Sequence, residues 1–367
     1  MLFGYPIAAT QNNWLHDCLC EAVRTIHASV DAKKRYPGWP SVLPKVYRET
    51  LKSRTGLRDR LKSYHSAVRR LTKAERDVVL DALESENRIG DLLSGACECA
   101  RNDGLPQDIQ EPVAELFEFA FGLLTDLAVR DQQYAAIYAA SSDHVCPFCG
   151  TEYFDAPGAV REGLDHYLAR SRYPFAAANL RNLVPMGYKC NSNYKLASDL
   201  LRRGDGSRRV AFDPYNHTRI SVSLDDSEPF DGTTEHTPNW MIRFDPETPA
   251  AHTWDEVFSV RERYRRDHLD PSFRSWLDQF AKIARRTGVR GDSDAELIAV
   301  LKWLEDLYGD SGLQDRAFLK AAAFRMLRRH CEAGHQRLLK HLRNLVAQPT
   351  PLPVADPTGS SMSKDAA

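Results

Sequence analysis

The stretch HVCPFCGTEYFDAPGAVREGLDHYLARSRYPFAAANLRNLVPMGYKCNSNYK, residues 144–195, breaks the texture of the chain around it, with Pro147, Gly150, Pro157, Gly158, Gly163, Pro174, Pro185 and Gly187 interrupting any helical periodicity. It opens with Cys146 and Cys149 in C-x-x-C spacing on a Pro- and Gly-containing turn, which presents two thiolates to one metal as a zinc knuckle does. A redox pair would need a strand before it and a helix opening on it, and Pro157 and Gly158 follow too soon for that; plain burial of the thiols is the remaining alternative. Further on come Asp165 beside His166, then Asn182, then Cys190 with Asn191, and finally Lys195. Singly these are ordinary, since a lone His is commonly structural and an Asn before LVP is commonly a turn or cap. Their order behind a C-x-x-C is far more specific.

Working outward, the preceding 140 residues read as mostly helical. Asn12 or Asn13 can cap a segment in which Leu15, Cys18, Leu19, Ala22, Val23 and Ile26 recur at spacings of three and four. Thr72 with Glu75 makes a capping-box pair, and Pro112 is expected to open a helix running through Val113 to Leu127. After the stretch, 208–212 and 219–224 alternate like the two strands of a hairpin around Asp213, Pro214, Tyr215 and Asn216. Helical signals return at Thr253 with Glu256, at Asp270 and Pro271, and at Ser293 with Glu296, while Cys331 and His335 are spaced to share a helix face. The end, 348–367, is rich in Pro, Ser and small residues and is expected to be disordered. The expected domains are therefore a helical one over 1–140, a small module over 141–205, a β-hairpin extension over 206–245, a helical one over 246–347 and the tail.

The chain has 367 residues, 43% hydrophobic and 27% charged, the profile of a soluble globular protein of two or three domains. Its start lacks the basic and apolar regions of a secretory signal and no apolar run approaches the ~18 residues of a membrane span, so a cytoplasmic protein with no membrane partner is expected. Eight cysteines spread along such a chain point to metal or burial rather than a disulfide framework. The formal net charge of −1 excludes a histone-like binder. Its distribution is uneven, however: residues 160–210 hold ten Lys or Arg against four acids, a local +6 of the kind a phosphate-binding surface carries. A solvated charged loop is the bland alternative.

The order of Cys146, Cys149, Asp165, His166, Asn182, Cys190 and Asn191 resembles the motif of the HNH (ββα-metal) endonuclease family, with DHYLARSRYP and NLVP especially close to bacterial HNH proteins; the resemblance covers about fifty residues. It implies a β-hairpin followed by a helix, clamped by zinc, and so a mainly α chain with a small central ββα-metal module, α+β overall. His166 takes the place of the first H, Asn182 of the N, and Asn191 of the second H, with Asn193 as the fallback for that third role. The resemblance implies that the amide of Asn182 ties the hairpin together and orients His166. Of the two expected C-x-x-C pairs the second is incomplete, because Gly187 stands three residues before Cys190; Cys146, Cys149 and Cys190 are left to hold zinc, with His144, a water or a residue from elsewhere as the fourth ligand.

The chemistry asks for these residue types in its own right. Phosphodiester hydrolysis needs a base near a water and a divalent cation on the scissile phosphate. His166 can be the base, and the hard oxygens of Asp165 and Asn191 suit Mg²⁺ or Mn²⁺. Because neighbouring strand residues point to opposite faces, Asp165 and His166 must act from different sides of the strand. Arg170, Arg172, Lys189 and Lys195 are candidate contacts to the DNA backbone. The segments TWDEVFSVRERY (253–264) and WLDQF (276–280) resemble the region C-terminal to the HNH module in bacterial defence nucleases, which implies an anti-phage role and a protein partner such as a defence-system ATPase. The competing classes are a non-catalytic zinc-supported nucleic-acid binder and a scaffold protein.

Overall fold

Helix α1 (Trp14–Asp31) buries the stripe Leu15, Cys18, Leu19, Ala22, Val23 and Ile26 that its spacing marked out. Asn13 stands at its N-cap position, but the side chain makes no cap; its Oδ1 accepts from the Leu180 N–H at 2.9 Å instead, spending the amide on a tertiary contact. The computed structural model describes residues 1–159, 164–216, 219–230 and 237–347, and over these the chain is mostly helical with two small two-stranded antiparallel sheets, an α+β arrangement. Against α1 pack α3 (Thr55–Val68), α4 (Lys73–Glu86) and α6 (Gln107–Asp126), with α2 (Arg48–Leu51), α5 (Ile89–Ser94) and α7 (Val129–Ala140) before, between and after them in the chain. The capping box of Thr72 and Glu75 is formed in both directions. Pro112 does not open α6 but lies inside it: Pro106 is the N-cap, and the missing N–H of Pro112 costs one intrahelical bond near the start of a helix well supported by buried Ile109, Val113, Leu116 and Phe117.

The strands are short. β1 (Leu164–His166) pairs antiparallel with β2 (Leu183–Pro185), placing Asp165 opposite Val184 and His166 opposite Leu183. A single turn of π-helix, Lys189–Lys195, comes after β2, so that 164–195 runs strand, strand, helix. The core of the helices does not stop at this unit. Leu164, Phe175, Ala177, Ala178, Leu180 and Leu183 share one apolar cluster with Leu15, Leu61, Tyr64, Phe117 and Leu124. Glu86 of α4 reaches into it, its Oε2 accepting from the Phe175 N–H at 2.8 Å; burial pushes the pKa of this carboxyl well above the usual range.

The second sheet corrects the expected hairpin. Ser221–Ser223 (β3) pairs with Arg243–Asp245 (β4), not with 208–212. Arg208 bridges to Arg202 and the Ala211 N–H bonds the Leu93 carbonyl, so the alternation there reflects packing against α5 rather than strand pairing. In the following helices, α8 (Pro249–Phe258) begins earlier than Thr253 and is capped by Thr248, whose Oγ1 accepts from Ala251; Thr253 is buried in its interior. Next come α9 (Val260–Arg263), α10 (Asp270–Arg286), α11 (Asp294–Asp310), α12 (Ala317–Glu332) and α13 (Gln336–Ala347). Cys331 and His335 do not share a helix face, because α12 ends at Glu332 and Gly334 turns the chain through a left-handed conformation before α13.

By contact the chain forms two compact units, the first made of Met1–Ser223, Ile242–Asp267 and Ser311–Phe318, the second of Leu224–Met241, His268–Asp310 and the residues after Phe318. All the residues discussed as a site belong to the first. In the second, Asp225 takes Arg325 at 2.6 Å and also Arg329, an ion-paired anchor for α12. Among the described residues no helix is long and apolar enough to cross a membrane. The expected disordered tail, 348–367, lies outside the described residues, as do Arg161, Glu162 and Gly163.

Candidate functional site

Cys146 and Cys149 sit on a tight turn in which the N–H groups of Cys149 and Gly150 bond the Cys146 carbonyl, and the Cys146 N–H returns to the Glu152 carbonyl at 2.8 Å. Gly150 is left-handed there, and a Cβ on it would collide with Leu2 Cδ1, so any other residue would be strained and would have to displace that side chain. Cys190 arrives from the start of the π-helical turn. The three sulfurs are buried and lie within 4.8 Å of one another, close enough to hold a metal such as zinc. The segment 253–264 braces this cluster from behind. Trp254 Nε1 donates to the Phe148 carbonyl at 2.9 Å, Tyr264 Oη to the Cys149 carbonyl at 2.8 Å, and Arg263 Nη1 to Cys190 Sγ at 3.2 Å.

The electrostatics derive from burial. Desolvation pushes the thiols of Cys146 and Cys190 well up; at Cys149 it is outweighed by hydrogen bonds from those two thiols and by the Arg263 charge, which lower its pKa. Arg263 is only 3% exposed and stays charged because of the sulfur and carboxylate groups it faces. His144, considered as a further ligand, stacks on Tyr138 with ring centroids 3.8 Å apart and is not among the clustered ligand atoms.

Next to the cysteines, the strand pair is locked by Asn182. Fully buried, its Oδ1 accepts from the Leu168 N–H at 2.7 Å and its Nδ2 donates to the Leu168 and Ala176 carbonyls at 3.0 and 3.2 Å, while its own carbonyl accepts from Tyr167. The loop so fixed ends in the Ala177 carbonyl, 2.9 Å from His166 Nε2. A carbonyl only accepts, so Nε2 carries the hydrogen and the neutral ring has its lone pair on Nδ1. The imidazole lies against Phe121 of α6 at 4.3 Å between centroids, and burial pushes its pKa down to about 4.

Asp165 points the other way, to Lys195. The two are 3.2 Å apart, and Lys195, from the π-helical turn, is 1% exposed. Asn191 is on the same turn four residues earlier, half-buried, with its carbonyl accepting from Leu196 across the wide i to i+5 step; Asn193 is exposed. The structure thus brings Asp165 and the helix of Asn191 together through Lys195, with His166 on the opposite face of β1. Of the basic candidates, Lys189 is exposed at the head of that helix, Arg170 is half-exposed and paired with Glu118 at 2.8 Å, and Arg172 is 3.7 Å from buried Asp199. Lys195 is no surface contact for a phosphate: burial lowers its pKa, Asp165 opposes that shift, and its charge is spent internally.

No family model, curated protein or solved structure matches the chain.

Sequence reasoning passed over four participants. Glu86 holds the 174–177 loop, the Ala177 carbonyl sets the tautomer of His166, and Arg263 and Glu152 surround the sulfurs. A backbone carbonyl has no sequence signature. Only Gly187 gave a hint, standing where a fourth cysteine was looked for.

Proposed function

We propose that residues 164–195 form the working part of an HNH-type endonuclease that hydrolyses phosphodiester bonds of DNA, with a structural zinc at the adjacent cysteines. The observation that carries the reading is the bond from His166 Nε2 to the Ala177 carbonyl. It fixes a neutral imidazole in one orientation with Nδ1 as its basic atom, which is what proton abstraction from an attacking water requires. The strand, strand, helix order, the interlocking amide of Asn182 and the neighbouring sulfur cluster support the same reading.

In this mechanism His166 takes the proton of the water through Nδ1, Asn182 and Ala177 keep the ring from rotating, and Lys189 with Arg170 meets backbone phosphates. A carboxylate and a carboxamide are hard donors that fit Mg²⁺ or Mn²⁺, ions that take few protein ligands, so Asp165 and Asn191 are the residues to hold one. Such an ion supplies neutralisation of charge on the scissile phosphate and leaving oxygen. The anti-phage setting and an ATPase partner rest on the resemblance of 253–264 and 276–280.

One observation favours a second reading, a nucleic-acid-binding module without hydrolysis: the buried ammonium of Lys195 already holds Asp165. The test is incubation of the purified chain with plasmid under Mg²⁺, Mn²⁺ and EDTA, beside His166→Ala. Metal-dependent cleavage lost in the variant, with DNA binding kept, supports the nuclease; binding without cleavage in either protein supports the module; cleavage unchanged in the variant removes His166 as the base.

A further inference from the structure

We propose that the cysteine cluster is a tetrahedral zinc site completed by the carboxylate of Glu152 in place of a fourth cysteine, with Arg263 as its outer counter-charge. The inference stands apart from the nuclease reading, since it concerns only how the metal is held.

With Zn–S bonds of about 2.3 Å, the sulfurs of a tetrahedral site lie about 3.8 Å apart. Those of Cys146, Cys149 and Cys190, all within 4.8 Å of one another, need only close slightly. In the motif that the stretch resembles, a fourth cysteine would stand three residues before Cys190. Here it is Gly187, and its lack of a side chain has a cause. A Cβ at 187 would meet Glu152 Oε2 at 2.6 Å, Cδ at 2.8 Å and Cβ at 2.9 Å. The side chain of Glu152 therefore fills the volume that a side chain at 187 would use. Gly187 is not in a left-handed conformation, so Glu152 alone keeps that space.

The carboxylate borders the cluster on the Cys149 side: the ligand atoms that all lie within 4.8 Å of one another are the three sulfurs, so Glu152 reaches Cys149 as it stands and has to swing toward Cys146 and Cys190 as the metal binds. Oε2 of Glu152 lies 3.6 Å from Cys149 Sγ, and a thiolate and a carboxylate oxygen on one tetrahedral zinc are about 3.6 Å apart. Its orientation is set by backbone donors, Lys189 N–H to Oε1 at 2.9 Å and Cys190 N–H to Oε2 at 3.4 Å, the kind of outer support that metal-bound carboxylates keep. The Gly187 N–H, 3.3 Å from Cys146 Sγ, gives similar support to a thiolate.

Charge completes the case. Three thiolates and a carboxylate around Zn²⁺ leave a buried net charge of −2, and Arg263, with Nη1 at 3.2 Å from Cys190 Sγ and Nη2 at 3.7 Å from Glu152 Oε2, offsets half of it from outside the ligand sphere. A sulfur-rich tetrahedral set selects Zn²⁺ over Mg²⁺ or Mn²⁺.

The full chain, wild type and variants, would be assayed for zinc per chain, for zinc retention against a chelator, and for the absorption of its Co²⁺-substituted form, in which sulfur-to-cobalt intensity counts the thiolates. The expected results are one zinc per wild-type chain, a three-thiolate cobalt spectrum, and about a hundredfold weaker zinc retention in Glu152→Gln with altered d–d bands. The double variant Glu152→Gly with Gly187→Cys, which also removes the Glu152 Cβ that lies 2.9 Å from a Cβ at 187, should recover retention and raise the charge-transfer intensity by about a third, as a fourth thiolate enters the vacated vertex. Unchanged retention and spectrum in Glu152→Gln, or a wild-type chain that binds neither Zn²⁺ nor Co²⁺, would overturn the proposal whether or not the protein cleaves DNA.

Discussion

Replacing Asn182 by alanine should loosen the strand pair that carries His166, and the size of the effect can be worked from three bonds. The substitution removes the partner of the buried Leu168 N–H (2.7 Å) and of the Leu168 carbonyl (3.0 Å); the Ala176 carbonyl loses a donor at 3.2 Å but keeps the Asn179 N–H, also at 3.2 Å. Two orphaned buried groups at about 1–3 kcal/mol each give a cost of about 2–6 kcal/mol, a large share of the roughly 5–15 kcal/mol that holds a domain together. Because a chain of two units need not unfold in one step, the measurement is hydrogen exchange by mass spectrometry on peptides spanning 164–185, which reads local opening directly. At 1.36 kcal/mol per factor of ten, protection there should fall by about one and a half to four orders of magnitude. Asn182→Asp sharpens the test. It keeps the acceptor for Leu168 N–H but faces both carbonyls with a carboxylate, so at pH 7 it should be at least as damaging as alanine. A drop of less than tenfold in Asn182→Ala, or wild-type protection in Asn182→Asp, would refute the claim that this amide locks the strands.

Three further outcomes are expected. His16 and His27 are held by burial at a pKa of about 4, against 6.5 when exposed, so both states are neutral above pH 6.5; as pH falls from 6.5 to 4 the unfolded chain binds protons that the folded one refuses, and each histidine subtracts up to about 3 kcal/mol. Thermal midpoints should drop across that window, and less steeply in a His16→Gln, His27→Gln protein; equal slopes would contradict the assignment. Lys195→Met frees Asp165 from its ammonium and should strengthen Mn²⁺ binding, read by electron paramagnetic resonance, by about tenfold or more, whereas unaltered affinity would mean the ammonium does not compete for that carboxylate. Glu86→Gln should stay within about 1 kcal/mol of wild type because burial favours the neutral carboxyl, while Glu86→Ala, which strands the Phe175 N–H, should lose about 1–3 kcal/mol; equal losses in exchange over 173–177 would show the carboxyl to be ionised.

Periodicity and spacing determined most of the helices and singled out the residues of the candidate site. The stripe of α1, the Thr72 capping box and the C-x-x-C turn depend on neighbours three or four positions away, and such contacts survive in any fold that keeps the segment helical or turned. Boundaries were harder: Pro112 and Thr253 look like helix starts locally, yet α6 and α8 extend past them because buried apolar residues on both sides outweigh one lost bond or one unused cap. Strand partners were harder still, since β3 finds β4 across twenty residues and alternation alone names no partner.

What only the tertiary structure decided is how the chemical groups meet. Nothing in the sequence says that Lys195 turns inward to Asp165, that the Ala177 carbonyl chooses the tautomer of His166, or that Glu152 occupies the space beside Gly187. Each is a contact between residues brought together by the packed core. The strength of such a contact depends on the water removed around it, and water is removed only when the whole unit closes.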